Sequence, residues 1–358
     1  MTRIEAKKTT NRMRRRYPMN KPDGFVPAVQ RYSARFPNDV QAIQILYVGV
    51  QTKMGNDTGQ GTFLADVKRS FRVPIGPTHF DFARFTDPQG YLNVFAVAYW
   101  CDTDDYRAWI ESAPVKDWWL DPAKTTGNRG YFRESMASSI DHIETIAFKE
   151  YIRGLSACPM SRVVPMGESG YWGAARDRIP ASSEDRLESP YAHELTLDLD
   201  RDSINKRVVI QPPPNLVLIR SGVSWADCGE EQLRSYQTNI EPKLDIGMEY
   251  LRTSPIESGC LSLRQVDVIS AQGGATKEAY SAGYFLSLHH LETWAKQHPT
   301  HLAIYRRAQM ERKKYQERLE LRTYHEVYVI DQQAEFEYVN CHNRTGLLPY
   351  FTAMADGK

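Results

Sequence analysis

Apolar runs alternate with helical periodicity along this chain, and the two halves show the same order. Strand-like runs open the halves as "IQILYVGV" and "NLVLIRSG" and recur as "VFAVAY" and "AYSAGYF". Helical patterns separate them near residues 62–71 and 230–251, and a second helical pattern follows the later strand of each half. Two further strand candidates then close each half, "GYFRESMAS" with "HIETIAF" and "YHEVYVI" with "AEFEYVN". The pattern predicts an α+β fold.

An internal repeat supports this division into halves. The segments "YWCDTDDYRAWIESAPVK" and "YFLSLHHLETWAKQHPTH" carry a Tyr, a Trp and a Pro at the same spacing. Tyr284 lies 185 residues after Tyr99 (284 − 99), and the Trp and the Pro keep that offset. The order of elements in each copy predicts a ferredoxin-like unit, and two such sheets would pack or curl together around a shared interior.

The repeat and the composition of the connections predict five parts of the chain. A basic tail and lead-in occupy residues 1–40, and the ferredoxin-like halves occupy residues 41–150 and 215–340. An irregular connection, residues 151–214, is rich in Pro and Gly and carries "GYWGAARDR", and a cap and tail occupy residues 341–358. Because long irregular segments in compact chains are usually functional or disordered, and because Tyr171 and Trp172 lie in this one, we expect it to be functional.

Composition narrows the functional classes. The 358 residues carry a formal net charge of +1, which gives no electrostatic basis for binding nucleic acid or an acidic membrane surface. No run reaches the roughly 18–20 apolar residues of a membrane span. The segment from Thr2 to Arg16 has seven basic residues and one acid, and it is interpreted as a solvated tail, with an organelle presequence as the alternative. Five cysteines scattered singly predict neither a zinc ribbon nor disulfides, which favours a reducing, cytoplasmic location.

A histidine on an apolar helix face is the first candidate for chemistry. If "THLAIYRRAQ" is helical, His301 shares one face with Ile304, Tyr305 and Ala308. The internal repeat places Lys116 opposite His301, so the other half keeps the helix without the imidazole. Packing alone would not require a histidine at this position, although a hydrogen-bonded core histidine is the alternative.

Two further polar groups are predicted to face the same interior. In "TYHEVYVI", a period of two puts His325 on the face of Val327. In "NLVLIRSG", Ser221 shares a face with Ile219, and either face of that strand could be the buried one. Three inward polar groups from different elements of one half suggest a pocket. The sequence has no HExxH, no phosphate-binding glycine loop and no GxSxG. A haem site requires one helical histidine, an apolar slot and distal polar groups.

At these residues the chain resembles the aldoxime dehydratases, haem b enzymes that convert aldoximes to nitriles. The segments that carry the resemblance are "GYWGAARDRIP", "NLVLIRSG", "LETWAKQHPTHLAIY", "YHEV" and "YVNCHNRTG". The likeness extends from about Ile45 to Phe351, and five separate segments make it specific. One departure is Asn343, which stands where the family has Pro, so His342 is given no chemical role.

The resemblance implies a fold, a cofactor and roles for individual residues. The fold would be a dimeric α+β barrel of two ferredoxin-like repeats, as a homodimer that binds ferrous haem b and a small-molecule aldoxime. By position in the motifs, His301 corresponds to the axial ligand of the haem iron and His325 to the distal acid-base residue. Ser221 corresponds to the distal hydroxyl and Arg178 to a distal guanidinium, with Arg176 as the alternative to Arg178.

Three activities are compatible with these residues. A haem lyase would dehydrate aldoximes, with a proton from His325 turning the hydroxyl into a leaving group. A haem peroxidase or oxygen-handling enzyme of the same fold could use His325 and Arg178 to cleave peroxide. A non-catalytic haem carrier would hold haem without turnover. The resemblance favours the lyase.

Overall fold

The computed structural model describes residues 15–27, 29–53, 59–168, 170–190, 195–331 and 333–351. The predicted basic tail lies largely outside these residues, and the predicted C-terminal tail "TAMADGK" lies entirely outside them. Among the described residues, no helix is both long enough and apolar enough to cross a membrane.

Thirteen strands in the described part of the chain form one antiparallel sheet. The runs dominated by β-branched and aromatic residues become strands because such side chains pack well on a pleated surface. In chain order the strands are β1 (Arg31–Arg35), β2 (Ala42–Lys53), β3 (His79–Thr86), β4 (Tyr91–Trp100), β5 (Arg129–Ser139), β6 (Ile143–Phe148), β7 (Arg162–Pro165), β8 (Arg207–Ile210), β9 (Val217–Ser224), β10 (Cys260–Ile269), β11 (Ala275–Phe285), β12 (Arg322–Val329) and β13 (Glu335–Val339).

Eight α-helices accompany these strands in the described residues. They are α1 (Gln60–Phe71), α2 (Thr103–Glu111), α3 (Ala113–Leu120), α4 (Glu230–Ser235), α5 (Glu241–Thr253), α6 (Pro255–Ser258), α7 (Leu288–Gln297) and α8 (Pro299–Tyr315). A π-helix, Tyr236–Ile240, joins α4 to α5. The helix predicted over residues 230–251 is therefore continuous, with one wide turn in its middle.

The same strand order occurs in both halves of the chain. The first half-sheet has the order β5-β2-β4-β3, and the second half-sheet has the order β12-β9-β11-β10. If the four strands of each half are numbered one to four along the chain, both half-sheets have the spatial order 4-1-3-2. Strands β3 and β10 pair with each other, with Phe82 opposite Ile269 and Arg84 opposite Asp267, and so join the two half-sheets.

Strands β3 and β10 are absent from the sequence prediction because each carries a buried charge that interrupts its apolar pattern. Arg264 of β10 is 5% exposed and donates from Nη1 to Glu134 Oε2 at 2.8 Å. Asp81 of β3 accepts from Arg220 Nη2 at 2.9 Å. Each charge is neutralised by a residue from another strand, and such a partner is invisible to local periodicity.

The last strand of each half pairs with the other half. Strand β6, from "HIETIAF", lies beside β12, with Ile146 opposite His325. Strand β13, from "AEFEYVN", lies beside β5, with Glu337 opposite Arg133. Each half-sheet is therefore extended by a strand that belongs, in the sequence, to the other repeat.

The outer face of the first half-sheet is filled by large aromatic side chains. Trp100, Trp109 and Trp119 pack with Phe71 in the core between this half-sheet and helices α1 to α3. Trp119 is 1% exposed. The 185-residue offset places Ile304 opposite Trp119, so a much smaller side chain occupies the corresponding position in the second half.

Replacing Trp119 tests how far this packing stabilises the fold. We expect Trp119→Ala to lower the free energy of unfolding by about 3–5 kcal/mol, because it leaves a large cavity in a rigid core. The matched control is Trp118→Ala, since the neighbouring Trp118 is only partly buried and should cost clearly less. Urea denaturation of the three proteins measures the difference, and equal losses would contradict this account of the first half.

Candidate functional site

A cavity of about 330 Å³ lies on the outer face of the second half-sheet. Strands β9, β10, β11 and β12 form one wall, and helices α5, α7 and α8 form the other. Most of the lining side chains are apolar, among them Ile219, Leu244, Met248, Leu263 and Ile304. The volume is at the lower end of the range for small-molecule and cofactor sites.

Helix α8 places His301 on the helical wall of this cavity. The helix starts at Pro299, whose fixed backbone angle suits the first helical position. The side chain of His298 caps the helix by accepting a hydrogen bond from the Thr300 amide. His301 then falls in the first turn, and all four residues of the predicted apolar face line the cavity, which confirms that prediction.

The surroundings of His301 favour a neutral ring. Burial lowers the pKa of His301 to about 4, so the imidazole is uncharged at pH 7. Its Nδ1 is buried with no hydrogen-bond partner in the described chain, although the Ala295 carbonyl lies near it outside hydrogen-bonding geometry. The Trp294 ring packs against the imidazole with 4.7 Å between ring centroids. A neutral imidazole retains a lone pair that can bind a metal.

Three neighbouring strands place polar side chains in one row on the opposite wall. His325 of β12 is the Cα partner of Ser221 in β9, and Ser221 is in turn the partner of Ser281 in β11. Directly paired residues point to the same face of a sheet, and all three line the cavity. Ser221 is the one exposed residue of β9, and its cavity position decides which face of that strand it occupies.

A buried carboxylate that the sequence analysis does not single out fixes the orientation of His325. Glu144 Oε1 lies 2.7 Å from His325 Nε2. Arg178 donates to both carboxylate oxygens, from Nε at 2.9 Å and from Nη2 at 3.0 Å. All three residues are at most 5% exposed. Because an ionised carboxylate can only accept hydrogen bonds, Nε2 of His325 carries a hydrogen, and Nδ1 is the nitrogen left to exchange a proton with a ligand.

Glu144 remains ionised although it is buried. Burial raises the pKa of its carboxyl group, but the Arg178 guanidinium and His325 together outweigh that effect and lower the pKa to about 2. The only signal in the sequence is a glutamate within the apolar run "HIETIAF", which is buried at all six positions of β6. A buried charge requires a partner, but the pairing of β6 with β12 that identifies the partner is not a local property.

The irregular connection reaches the cavity through Trp172 and Arg178, and both residues line it. The short 3-10 helix Ala175–Arg178 carries Arg178, whose Nη1 also donates to the carbonyls of Tyr171 at 2.5 Å and Ala174 at 3.1 Å. The Trp172 ring meets the His325 ring edge to face, with 4.5 Å between centroids.

The other arginine of the "RDR" motif has a different environment. Arg176 Nε donates to Glu292 Oε2 at 2.6 Å and so ties the connection to helix α7. Asp177, between the two arginines, accepts hydrogen bonds from the amides of Asn20 at 2.6 Å and Lys21 at 2.9 Å. These hydrogen bonds therefore attach the segment before β1 to the irregular connection that carries Arg178.

His342, which is given no role from the sequence, does not line the cavity. Its Nε2 lies 3.0 Å from Asp87 Oδ2, and its ring packs against Tyr91 with 4.6 Å between centroids. These contacts account for the imidazole without a role in the cavity.

The sequence matches a known family over most of its length. A family model described as a haem-containing dehydratase matches residues 46–347. The chain belongs to this haem-containing dehydratase family. The resemblance inferred from the five motifs is thereby confirmed.

Relatives of this haem-containing dehydratase include enzymes with named activities. The phenylacetaldoxime dehydratase of Bacillus sp. (strain OxB-1) is 34% identical over 335 residues, 93% of this chain and 94% of the relative. The aliphatic aldoxime dehydratase of Pseudomonas chlororaphis is 36% identical over 334 residues, 91% of this chain and 92% of the relative. A crystal structure of an aldoxime dehydratase in complex with butyraldoxime superposes with a TM-score of 0.85 at 32% identity, covering 95% of this chain and 94% of that one.

The cavity of this haem-containing dehydratase fits the cofactor of its family. A haem requires an axial nitrogen, an apolar slot and polar groups on its distal side. The helical wall supplies the neutral imidazole of His301, with one buried nitrogen lacking a partner, among apolar side chains. The sheet wall supplies His325 and Ser221 on the opposite side.

The charge on Glu144 predicts a specific dependence of stability on pH. Its pKa is lowered in the folded protein, so the unfolded chain takes up a proton first, and the stabilisation by this carboxylate is lost as pH falls from about 4.5 towards 2. We expect Glu144→Gln to lower the free energy of unfolding at pH 7 by about 3–5 kcal/mol, since Arg178 loses its charged partner. The variant should also have a shallower pH dependence below about 4.5.

Urea denaturation of the haem-free protein between pH 7 and pH 3 measures both effects. The control is Glu168→Gln, which removes an exposed ion pair with Arg35 and should change stability by less than about 1 kcal/mol. A Glu144→Gln protein as stable as the unaltered one, with the same pH dependence, would show that Glu144 is not a stabilising anion.

Proposed function

We propose that this protein dehydrates aldoximes to nitriles at a haem held in its second half. The proposal is carried by two imidazoles on opposite walls of one cavity: His301 is neutral, and His325 is held by Glu144 and Arg178. The relatives named phenylacetaldoxime dehydratase and aliphatic aldoxime dehydratase support the substrate class. The reaction, R-CH=N-OH to R-C≡N and H₂O, involves no net redox change.

His301 is proposed as the axial ligand of the haem iron. The Ala295 carbonyl lies near its Nδ1, outside hydrogen-bonding geometry here, and we propose that it accepts a hydrogen bond from Nδ1 and fixes the ring orientation once the iron is bound. The other ring nitrogen is then the ligand. A ferrous haem held there by His301 would supply an electron-donating metal centre for breaking the N–O bond.

His325 is proposed as the acid that makes water the leaving group. Its Nδ1 would deliver a proton to the aldoxime hydroxyl oxygen, and the neutral ring could then serve as the base that removes the carbon-bound hydrogen. The ionised Glu144 accepts a hydrogen bond from Nε2 and so leaves Nδ1 as the nitrogen available for this transfer. Ser221, the neighbour of His325 in the sheet, would donate a hydrogen bond to the same hydroxyl oxygen.

Arg178 is proposed as a positioning residue in this mechanism. Its Nε and Nη2 donate to Glu144, and its Nη1 donates to two backbone carbonyls. These contacts support a role in orienting Glu144, and through it His325, over direct contact with the aldoxime.

The strand order supports a more detailed proposal for the fold. Both half-sheets have the order expected of ferredoxin-like repeats, and we infer that they form a dimeric α+β barrel-type domain in which residues 215–340 bind haem. The resemblance to aldoxime dehydratases extends the proposal to a homodimer in the cytoplasm. Size-exclusion chromatography with light scattering tests the dimer.

Replacing His301 tests the axial ligand. We expect His301→Ala to lose most of its affinity for haem, because no other imidazole on the helical wall can bind the iron. Titration of the haem-free protein with haem, followed by the Soret band, measures the affinity. The control is His289→Ala, which removes an exposed imidazole of α7 that does not line the cavity and should leave haem binding intact. A His301→Ala protein with unchanged affinity and an unchanged Soret band would refute the assignment.

Replacing His325 separates catalysis from cofactor binding. We expect His325→Ala to bind haem normally and to form nitrile about 10²- to 10⁴-fold more slowly, the usual loss for a general acid. Nitrile formation is measured with dithionite and without oxygen, and His342→Ala serves as the control with an unchanged rate. Full activity of His325→Ala would show that another group delivers the proton. Peroxide-dependent dye oxidation with negligible nitrile would favour the peroxidase alternative.

A further inference from the structure

Two arginines, one buried and one partly buried, share a pair of aromatic rings beside the cavity. Arg31 of β1 is 4% exposed, and its guanidinium carbon lies 5.6 Å from the Phe148 ring centroid and 5.7 Å from that of Trp172. Arg312, near the end of α8, lies 5.2 Å from the same Phe148 centroid and 5.8 Å from that of Trp172. Arg31 and Arg312 are called the arginine pair below.

The arginine pair has no counter-ion in the described part of the chain. No carboxylate there forms an ion pair with Arg31 or Arg312, and the Nε and Nη1 atoms of Arg31 are buried without a hydrogen-bond partner. Burial, followed by the charge of Arg312, lowers the pKa of Arg31 to about 9, and burial likewise lowers the pKa of Arg312. Guanidinium groups keep their charge in proteins, so two like charges lie close together here, one buried and one partly buried.

The other buried arginines show how unusual this arrangement is within the same molecule. Each of those in the described part of the chain is paired with a carboxylate at an N–O distance of 3.0 Å or less; the pairs are Arg178 with Glu144, Arg220 with Asp81, and Arg264 with Glu134. Stacking on Phe148 and Trp172 compensates only part of the cost of burying the arginine pair. The pair therefore has the properties of a site prepared for an anion.

The position of Arg312 relates this site to the cavity. Arg312 and Trp172 line the cavity, and Arg312 follows His301 by eleven residues on the same helix. Eleven residues make almost exactly three helical turns, so both side chains project from one face of α8, about 16 Å apart along its axis. Among the described residues that line the cavity, the arginines are Arg178 and Arg312, and Glu144 already neutralises Arg178.

We propose that Arg31 and Arg312 bind the propionate carboxylates of the haem and so fix which edge of the cofactor lies against Trp172 and Phe148. The inference rests on the proposed function, since it takes His301 as the axial ligand. Guanidinium groups bind carboxylates through charge-assisted hydrogen bonds, and the unpartnered Nε and Nη1 of Arg31 are two donors that a carboxylate oxygen can accept from. The same chemistry would bind the carboxylate of an acidic aldoxime, and the experiment separates the two sources.

The test compares haem with haem dimethyl ester, in which both propionates are uncharged. Four haem-free proteins are titrated with each pigment: the unaltered protein, Arg31→Met, Arg312→Met and the double variant. The Soret band measures the affinity of each protein for haem and for the ester. We expect the unaltered protein to bind haem more tightly than the ester. Each single variant should weaken haem binding by roughly 10- to 100-fold, the effect of losing a hydrogen bond to a charged group, and leave ester binding unchanged. The control is Arg306→Met, an exposed arginine of α8 that should change neither affinity.

Folding and substrate binding are followed in the same variants. The haem-free Arg31→Met protein should melt no lower than the unaltered protein, because an unpaired buried charge has been removed. Equal losses of affinity for haem and ester, or unchanged haem affinity in both variants, would overturn the proposal. Unchanged haem affinity with a raised KM only for carboxylate-bearing aldoximes would assign the pair to substrate instead. If the unaltered protein bound neither pigment, the proposed function itself would fail.

Discussion

The buried carboxylate of Glu144 is the contact on which the arrangement of the cavity depends. It joins three elements that are far apart in the sequence: strand β6, the 3-10 helix that carries Arg178, and strand β12 with His325. An anion in this position would be strongly unfavourable alone, and the bidentate guanidinium offsets its loss of hydration. The pair fixes the orientation of the His325 ring through Nε2 and leaves Nδ1 as the nitrogen that can exchange a proton with a ligand.

The exchange of terminal strands between the halves makes this contact possible, and the first half contains a counterpart. Glu337, on the exchanged strand β13, lies 2.6 Å from an Arg133 nitrogen and 3.6 Å from an Arg207 nitrogen, much as Glu144 bridges a histidine and an arginine. In the first half, however, Arg133 and Arg207 both lie over the ring of Trp119, which fills the space between sheet and helices. The repeated topology therefore places a corresponding space between sheet and helices in each half. The Trp119 side chain fills this space in the first half, and in the second half it remains as the cavity.

Sequence patterns predict the parts of this site that depend on local geometry. The helical period places His301 among apolar residues and the strand period does the same for His325, and the cavity lining agrees with both. The role of Glu144 is not predicted because it depends on the pairing of β6 with β12, and no local period specifies that pairing. Arg31 is not predicted for the same reason: it meets Arg312 through Trp172 and Phe148, which come from two further elements.

The two imidazoles of the cavity show how one side-chain type acquires two chemical properties. His301 has no charged partner among the described residues, and burial keeps it neutral, which suits a ligand that must keep its lone pair. His325 is buried on the sheet wall, and its Nε2 is directed at an ionised carboxylate, which fixes the ring orientation and leaves Nδ1 as the nitrogen that can exchange a proton. The difference lies in the neighbours alone: a helix face with apolar residues in one case, and a strand beside Glu144 in the other.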